Sequence, residues 1–308
     1  MQQNSPRINE AVAGVALWKG AEVTVSQLSG GLTNENYLVE SGGQRYVMRI
    51  PGQSTELLAI DRANEVYNTI AAASTGIGPR VLEHIPSLGV LVLEFIAGPT
   101  MSAKALQSKA MAARMASSFR RMHGAPHFLQ DFNMFRLIEY YLGIVDKHRV
   151  AIPDDYRDWL PKIAAIERAV SVGALPPAPC HNDLLCENFI DDGEALRIVD
   201  YELSGNNDPC FDLGNTAQEA EFDQDQRAAL CTAYFGRQNT QEFTRQLARM
   251  NLFALMSDVG WTLWGAIQAK ISTVEFDFRG YYTGRWERAL EVLRSEPVGD
   301  WLEQAAGR

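Results

Sequence analysis

In the first third of the chain, apolar and polar positions mostly alternate; beyond it, apolar residues recur at helical spacing. Glu22 to Leu28 alternates and stops at Ser29-Gly30-Gly31. Tyr37 to Glu40 and Arg45 to Ile50 flank Ser41-Gly42-Gly43, which reads as a hairpin. Thr55 to Ala73 has helical spacing and is closed by Gly76 and Gly78-Pro79. Val81 to Ile85 and Val90 to Ile96 read as two further strands. About five strands and one helix are therefore expected before residue 97.

Gly98-Pro99 interrupts the pattern. Ser102 is placed to cap a long helix running to Gly124, with Arg114, Arg120 and Arg121 on its polar side. Phe135 to Arg149 and Asp154 to Val172 read as helices, with Pro161 expected to kink the second. Ala174 to Pro179 is a stiff, extended lead-in. Asn188 to Asp191 and Leu196 to Asp200 are short strands around a turn at Gly193. Phe211 to about Leu293 is helical, and no internal repeat is found. The expected organisation is α+β: a small β-rich lobe over residues 1–97 and a larger helical lobe over residues 98–308.

Composition changes this picture little. Hydrophobic residues make up 46% and charged residues 21%, the balance of an ordinary globular protein. The net charge of −10 argues against a duplex-coating nucleic-acid binder. There is no signal peptide pattern at the N-terminus and no apolar run of membrane-spanning length. Cys180, Cys186, Cys210 and Cys231 form no C-x-x-C pair and match no zinc spacing, so reduced thiols in a cytoplasm are expected.

The strongest chemical signal is His181-Asn182-Asp183-Leu184-Leu185-Cys186-Glu187-Asn188, followed by Asp200-Tyr201-Glu202. It resembles the H-x-D-x-x-x-x-N loop and the metal-binding Asp of the protein-kinase-like superfamily. Phosphoryl transfer needs a carboxylate to accept the proton of the attacking hydroxyl, and Asp183 suits it. It also needs an amide oxygen and a carboxylate to hold Mg²⁺ against the phosphates, which Asn188 and Asp200 can supply. The alternative is a polar turn with solvated carboxylates.

That resemblance implies that the small lobe holds ATP. Gly30, Gly31, Thr33 and Asn34 lie in a Gly-rich turn able to meet phosphates with backbone N–H groups. No Lys lies between Lys19 and Lys104, so Arg49 is the candidate phosphate cation, with Glu65 as its ion-pair partner. Backbone just after Glu94 is the expected adenine-facing hinge.

Two further clusters are expected to narrow the substrate. One is Asn206-Asn207 with Phe211-Asp212-Leu213-Gly214-Asn215 and then Glu219. The other runs from Trp261 through Trp264 and Gln268 to Tyr281. Trp261 and Trp264 share a helix face and, with a tyrosine, can box an ammonium group, Glu219 giving the countercharge. On spacing alone, such a tryptophan stripe is more often core packing.

These motifs together resemble the choline/ethanolamine kinase family, a branch of the aminoglycoside-phosphotransferase group within the protein-kinase-like fold. The resemblance runs from Gly30-Gly31-Leu32-Thr33-Asn34 through Arg49-Ile50-Pro51-Gly52, His181-Asn182-Asp183 and Phe211-Asp212-Leu213-Gly214-Asn215. It ends at Gln268-Ala269-Lys270-Ile271-Ser272 and Tyr281, spanning about residues 28–290. It implies a bilobal kinase-like fold and an ATP- and Mg²⁺-dependent transfer to the hydroxyl of choline or ethanolamine. It implies Asp183 as base, Asn188 and Asp200 on Mg²⁺, Glu202 near a second metal, and Arg49 on phosphate. Glu219, Trp261, Trp264 and Tyr281 would form the ammonium pocket. Leu203 and Gln224 stand where relatives often carry tyrosine, which leaves a primary amine or another amino alcohol open as acceptor; a kinase for thiamine or an aminoglycoside is the enzyme alternative, and the Trp261-to-Tyr281 block argues against the aminoglycoside. A nucleotide-binding pseudoenzyme is the non-catalytic alternative.

Overall fold

The computed structural model describes residues 5–28, 31–52, 55–236 and 239–307. Five strands, β1 (Val23–Gln27), β2 (Asn34–Ser41), β3 (Gln44–Pro51), β4 (Val81–Ile85) and β5 (Val90–Glu94), form one antiparallel sheet ordered β1-β2-β3-β5-β4. Gly42 and Gly43 both have positive φ, which makes the tight β2–β3 turn and pairs Ser41 with Gln44. That register sets Arg49 of β3 opposite Asn36 and, across the other edge, Leu91. Alternation buries Tyr37, Val39, Met48, Ile50, Val90 and Val92 in one cluster. An N-terminal helix, α1 (Pro6–Gly14), and the following turn cover that cluster with Ala11, Val15 and Trp18. The hydrophobic pattern did not announce this helix.

The helix expected over Thr55–Ala73 is two pieces. A 3₁₀ turn (Thr55–Leu58) ends at Ala59, whose φ of 59° is left-handed, and α2 (Arg62–Ser74) restarts under an Asp61 N-cap. The helix expected to run to Gly124 is likewise split. Ser102 does cap, but only the one-turn α3 (Ala103–Leu106), and α4 (Lys109–His123) follows. Pro161 does not kink its helix. It occupies the first turn of α6 (Leu160–Ser171), where its missing N–H costs nothing. α5 (Met134–His148) lies between α4 and α6.

Four short strands then frame the loops that matter. β6 (Ala178–Cys180) pairs with β9 (Gly205–Asn207), and β7 (Phe189–Asp191) pairs with β8 (Leu196–Ile198). Residues 181–188 thus run from β6 to β7, and residues 199–204 run from β8 to β9. Two hairpin-like pairs aim both loops at the same place. β6 and β9 had not been expected as strands.

The remaining helices are α7 (Pro209–Glu219), α8 (Gln224–Phe235), α9 (Thr240–Ile271), α10 (Phe278–Leu293) and α11 (Pro297–Ala305). α9 is 32 residues long and buried on nearly every side from Gln246 to Gln268, with α5, α7, α10 and α11 around it. Such a helix has no single apolar stripe, and its buried polar residues, among them Arg249, Asn251 and Asp258, are paired within the core. Among the described residues, no helix is long and apolar enough to cross a membrane.

Candidate active site

The 181–188 loop is held from beneath by α7. Asp212 accepts from the backbone N–H of His181 (2.9 Å) through Oδ2 and of Asn182 (2.8 Å) through Oδ1. Asn215 Oδ1 accepts from Leu184 N–H at 2.5 Å. The cluster around Phe211 to Asn215 therefore orders the loop backbone, and none of its residues lines the cavity described next. Asn182 and Asp200 both have left-handed φ, 68° and 76°, a strained conformation for non-glycine residues. Asn182 is pinned there: its amide donates to the carbonyls of Cys180 and Leu203, each at 3.2 Å. His181 is fully buried, bonds the Val199 carbonyl at 2.9 Å and packs on the Tyr201 ring. Burial lowers its pKa, and the ring does not line the cavity described next.

Asp183, Asn188, Asp200 and Glu202 line one cavity of about 420 Å³. The Asn188 amide donates to the Asp183 carbonyl at 2.8 Å, which leaves its Oδ1 as an acceptor. Burial pushes the Asp183 carboxyl well above the usual carboxylate range, helped by the negative charges of Glu219 and Asp200. Glu202 is raised to about 7, first by burial and then by Asp200 and Glu65.

Two arginines balance this acidic group. Arg49 Nη1 lies 2.5 Å from Glu65 and 2.7 Å from Asp200. Arg62 Nη1 lies 2.7 Å from Glu65 and 3.2 Å from Glu202. The Arg49–Glu65 pair expected from sequence is present. Arg62 was missed, although it stands three residues before Glu65 on the first turn of α2, a spacing that brings side chains together.

Gly31 and Thr33 line the same cavity, while Gly30 lies outside the described residues. Gly31 has φ 92°, and a Cβ there would sit 2.6 Å from the Asn34 carbonyl, so only glycine fits. Asn34 donates to Glu202 at 2.7 Å. Glu94 is not brought to the cavity. Its carboxylate accepts from Arg80 N–H (3.1 Å) and lies 3.5 Å from Arg197 Nη2.

Trp261, Trp264, Phe276 and Tyr281 give the same cavity an aromatic wall. Trp264 meets Tyr281 edge-on with centroids 5.7 Å apart. Neither indole N–H has a hydrogen-bond partner among the described residues, although both are buried. Tryptophans placed only for packing usually satisfy that group. Leu203 also lines the cavity.

Glu219 is placed differently from the expectation. It lines a neighbouring cavity of about 560 Å³ that shares Tyr281 and Glu187 with the first. Its carboxylate already faces Arg285 Nη2 at 2.7 Å. Arg285 also pairs with Asp258 (3.0 Å) and lies 4.5 Å over the Tyr281 ring. Sequence reasoning did not single out Arg285; the signal was its position four residues after Tyr281, on the same face of α10.

Asn188 Oδ1, Asp200 and Glu202 make an all-oxygen donor set at one cavity, the chemistry a magnesium ion takes. The residues fit that ion.

A family model described as choline/ethanolamine kinase matches residues 25–289. Ethanolamine kinase 1 of Homo sapiens is 28% identical, the match covering 89% of this chain and 68% of that protein. A choline/ethanolamine kinase family protein from Mesorhizobium loti superposes with a TM-score of 0.83 at 34% identity, covering 97% of this chain and 99% of that one. A GDP complex of aminoglycoside 2′-phosphotransferase-IIIa superposes with a TM-score of 0.65 at 15% identity, covering 94% and 99%, a likeness of fold alone. The α+β kinase-like fold class expected from the sequence is the one found.

Proposed function

The chain belongs to the choline/ethanolamine kinase family, and from that premise we propose that it transfers the γ-phosphoryl group of ATP to the hydroxyl of ethanolamine or choline. The carrying observation is convergence. Asp183, Asn188 and Asp200 open onto the same cavity as Trp261, Trp264 and Tyr281, so base, metal donors and aromatic wall meet in one space.

Asp183 is the base: no hydrogen bond engages its carboxylate among the described residues, and it faces the cavity, free to accept the substrate proton. Asn188 Oδ1 and Asp200 would hold Mg²⁺, with Glu202 beside a second ion. The ion, when bound, neutralises charge on the phosphates. Gly31 and Thr33 offer the nucleotide side of the cavity, and Arg49 supplies a guanidinium suited to phosphate. The aromatic wall takes the ammonium head, each desolvated face contributing up to about 2 kcal/mol. Because Arg285 already matches Glu219, the countercharge comes from Asp183 and Glu187, which line the cavity directly. The rest is positioning of hydroxyl and phosphate in a site that excludes water. We place this activity in the cytoplasm.

The test is ADP release from Mg-ATP with choline, ethanolamine, thiamine and kanamycin, with Asp183→Asn as control. Turnover with ethanolamine or choline, abolished in the variant, supports the reading. Turnover only with thiamine or kanamycin moves the acceptor, and nucleotide binding with no turnover on any of the four makes this a pseudoenzyme.

A further inference from the structure

One helix serves both halves of the reaction. Trp261, Trp264 and Gln268 lie at i, i+3 and i+7 on α9, a spacing that keeps them on one face. The two tryptophans form the aromatic wall. Gln268, one turn further on and nearly fully buried, donates through Nε2 at 2.9 Å to the backbone carbonyl of Leu32. These two residues are 236 positions apart in the chain. Leu32 is flanked by Gly31 and Thr33, and all three line the cavity. The Leu32 side chain packs against the core cluster that contains Trp261 and Trp264, so the contact has an apolar and a polar part.

We infer that Gln268 is a positioning residue that ties residues 31–33 to the aromatic wall, so that nucleotide and amine strengthen each other's binding. The inference rests on the functional reading above, in which the phosphates meet residues 31–33 and the ammonium meets Trp264. An amine packed on Trp264 bears on the cluster against which Leu32 packs, and Gln268, one turn from Trp264, holds the Leu32 carbonyl at a fixed point. Ordering residues 31–33 in this way lowers what the nucleotide must itself order. Linkage makes the effect reciprocal: whatever factor the amine adds to nucleotide affinity, the nucleotide adds to amine affinity.

The hydrogen bond is neutral, so its removal is worth roughly 3- to 10-fold in affinity. The experiment is calorimetric titration of the full chain with a non-hydrolysable Mg-ATP analogue, with and without saturating ethanolamine or choline. It is run on the native chain, on Gln268→Met, which keeps the length and loses the donor, and on Gln268→Asn, which keeps the amide but falls a methylene short. In the native chain the amine tightens the analogue. In both variants the analogue binds about 3- to 10-fold more weakly, the tightening by amine disappears, and amine affinity without nucleotide stays as it was. A merely structural glutamine would weaken both ligands together and leave the tightening in place; that result overturns the inference. So does a folded Gln268→Met with native analogue affinity and native tightening. If Gln268→Met does not fold, Gln268→Asn alone decides. A native chain that binds amine but no nucleotide is a different failure, since it removes the functional reading itself.

Discussion

Asp183 shows how environment sets the behaviour of one side chain. Burial raises its pKa first, and Glu219 and Asp200 raise it further. A base must be deprotonated, so activity without a perturbing change should rise with pH along a limb placed above the ordinary carboxylate range. Glu219→Gln removes a negative charge and frees the positive Arg285, so it should move that limb to lower pH; a pH–rate profile reads the shift. Asp183→Asn should lower kcat by about 10²- to 10⁴-fold with nucleotide affinity nearly unchanged. Single-turnover kinetics and a binding titration check the two parts separately. Trp264→Leu should raise KM for the amine by up to about 30-fold, the equivalent of ~2 kcal/mol, with a smaller effect on kcat. An unchanged KM would make Trp264 a packing residue only.

At the scale of elements, the loop that carries Asp183 depends on how closely α7 approaches α9. Gly214 is the contact point: a Cβ there would lie 2.5 Å from the Met250 carbonyl and 2.7 Å from Ala254 N, both backbone atoms of α9. Backbone cannot turn aside as a side chain can. Gly214→Ala should therefore push the helices apart, cost about 1–3 kcal/mol, and lower kcat as well, because Asp212 and Asn215 ride on the same helix. Gly143→Ala, on the exposed face of α5 with nothing within 4 Å, should leave activity unchanged and raise stability slightly. Thermal melts and kcat for the two variants make the comparison. Element boundaries were the least legible part of the sequence. Helical spacing continues across Ala59 and across Gln107-Ser108, so Thr55 to Ala73 and Ser102 to Gly124 each read as one helix, and only the backbone at those points divides them.

For the whole molecule, the acidic cluster links stability to pH and to metal. Glu202 has an ordinary value of 4.5 and is raised to about 7 in the folded chain. Between those values the folded chain holds a proton that the unfolded chain has released. This group's contribution is thus full below about 4.5 and lost as pH rises through 7. In chelator, the melting temperature of the native chain should fall relative to that of Glu202→Gln as pH goes from 5 to 7.5. Added Mg²⁺ should stabilise the native chain most at the upper end of that range, by binding the ionised carboxylates of the folded state. Parallel melting curves for the two proteins across the range would count against the assignment.

What the sequence determined by itself is what short spacing can carry. Asp183 and Asn188 lie five residues apart on one loop, and a hairpin returns Asp200 beside them. The Gly42-Gly43 turn pairs β2 with β3 and so puts Arg49 on the strand next to the cavity. Trp261 and Trp264 share a face because an α-helix repeats every 3.6 residues. Each of these relations is local and needs no knowledge of how the elements pack. Tertiary structure alone decided the rest. The pairing of Glu219 with Arg285 joins α7 to α10, the hold of Asp212 on residues 181–182 joins α7 to a loop 30 residues earlier, and Gln268 meets Leu32 from the other end of the chain. Charges and amides do not announce their partners at such separations. Which of them meet is set by the close packing of helices around α9, and that depends on side-chain shape across the whole core rather than on the spacing of any one motif.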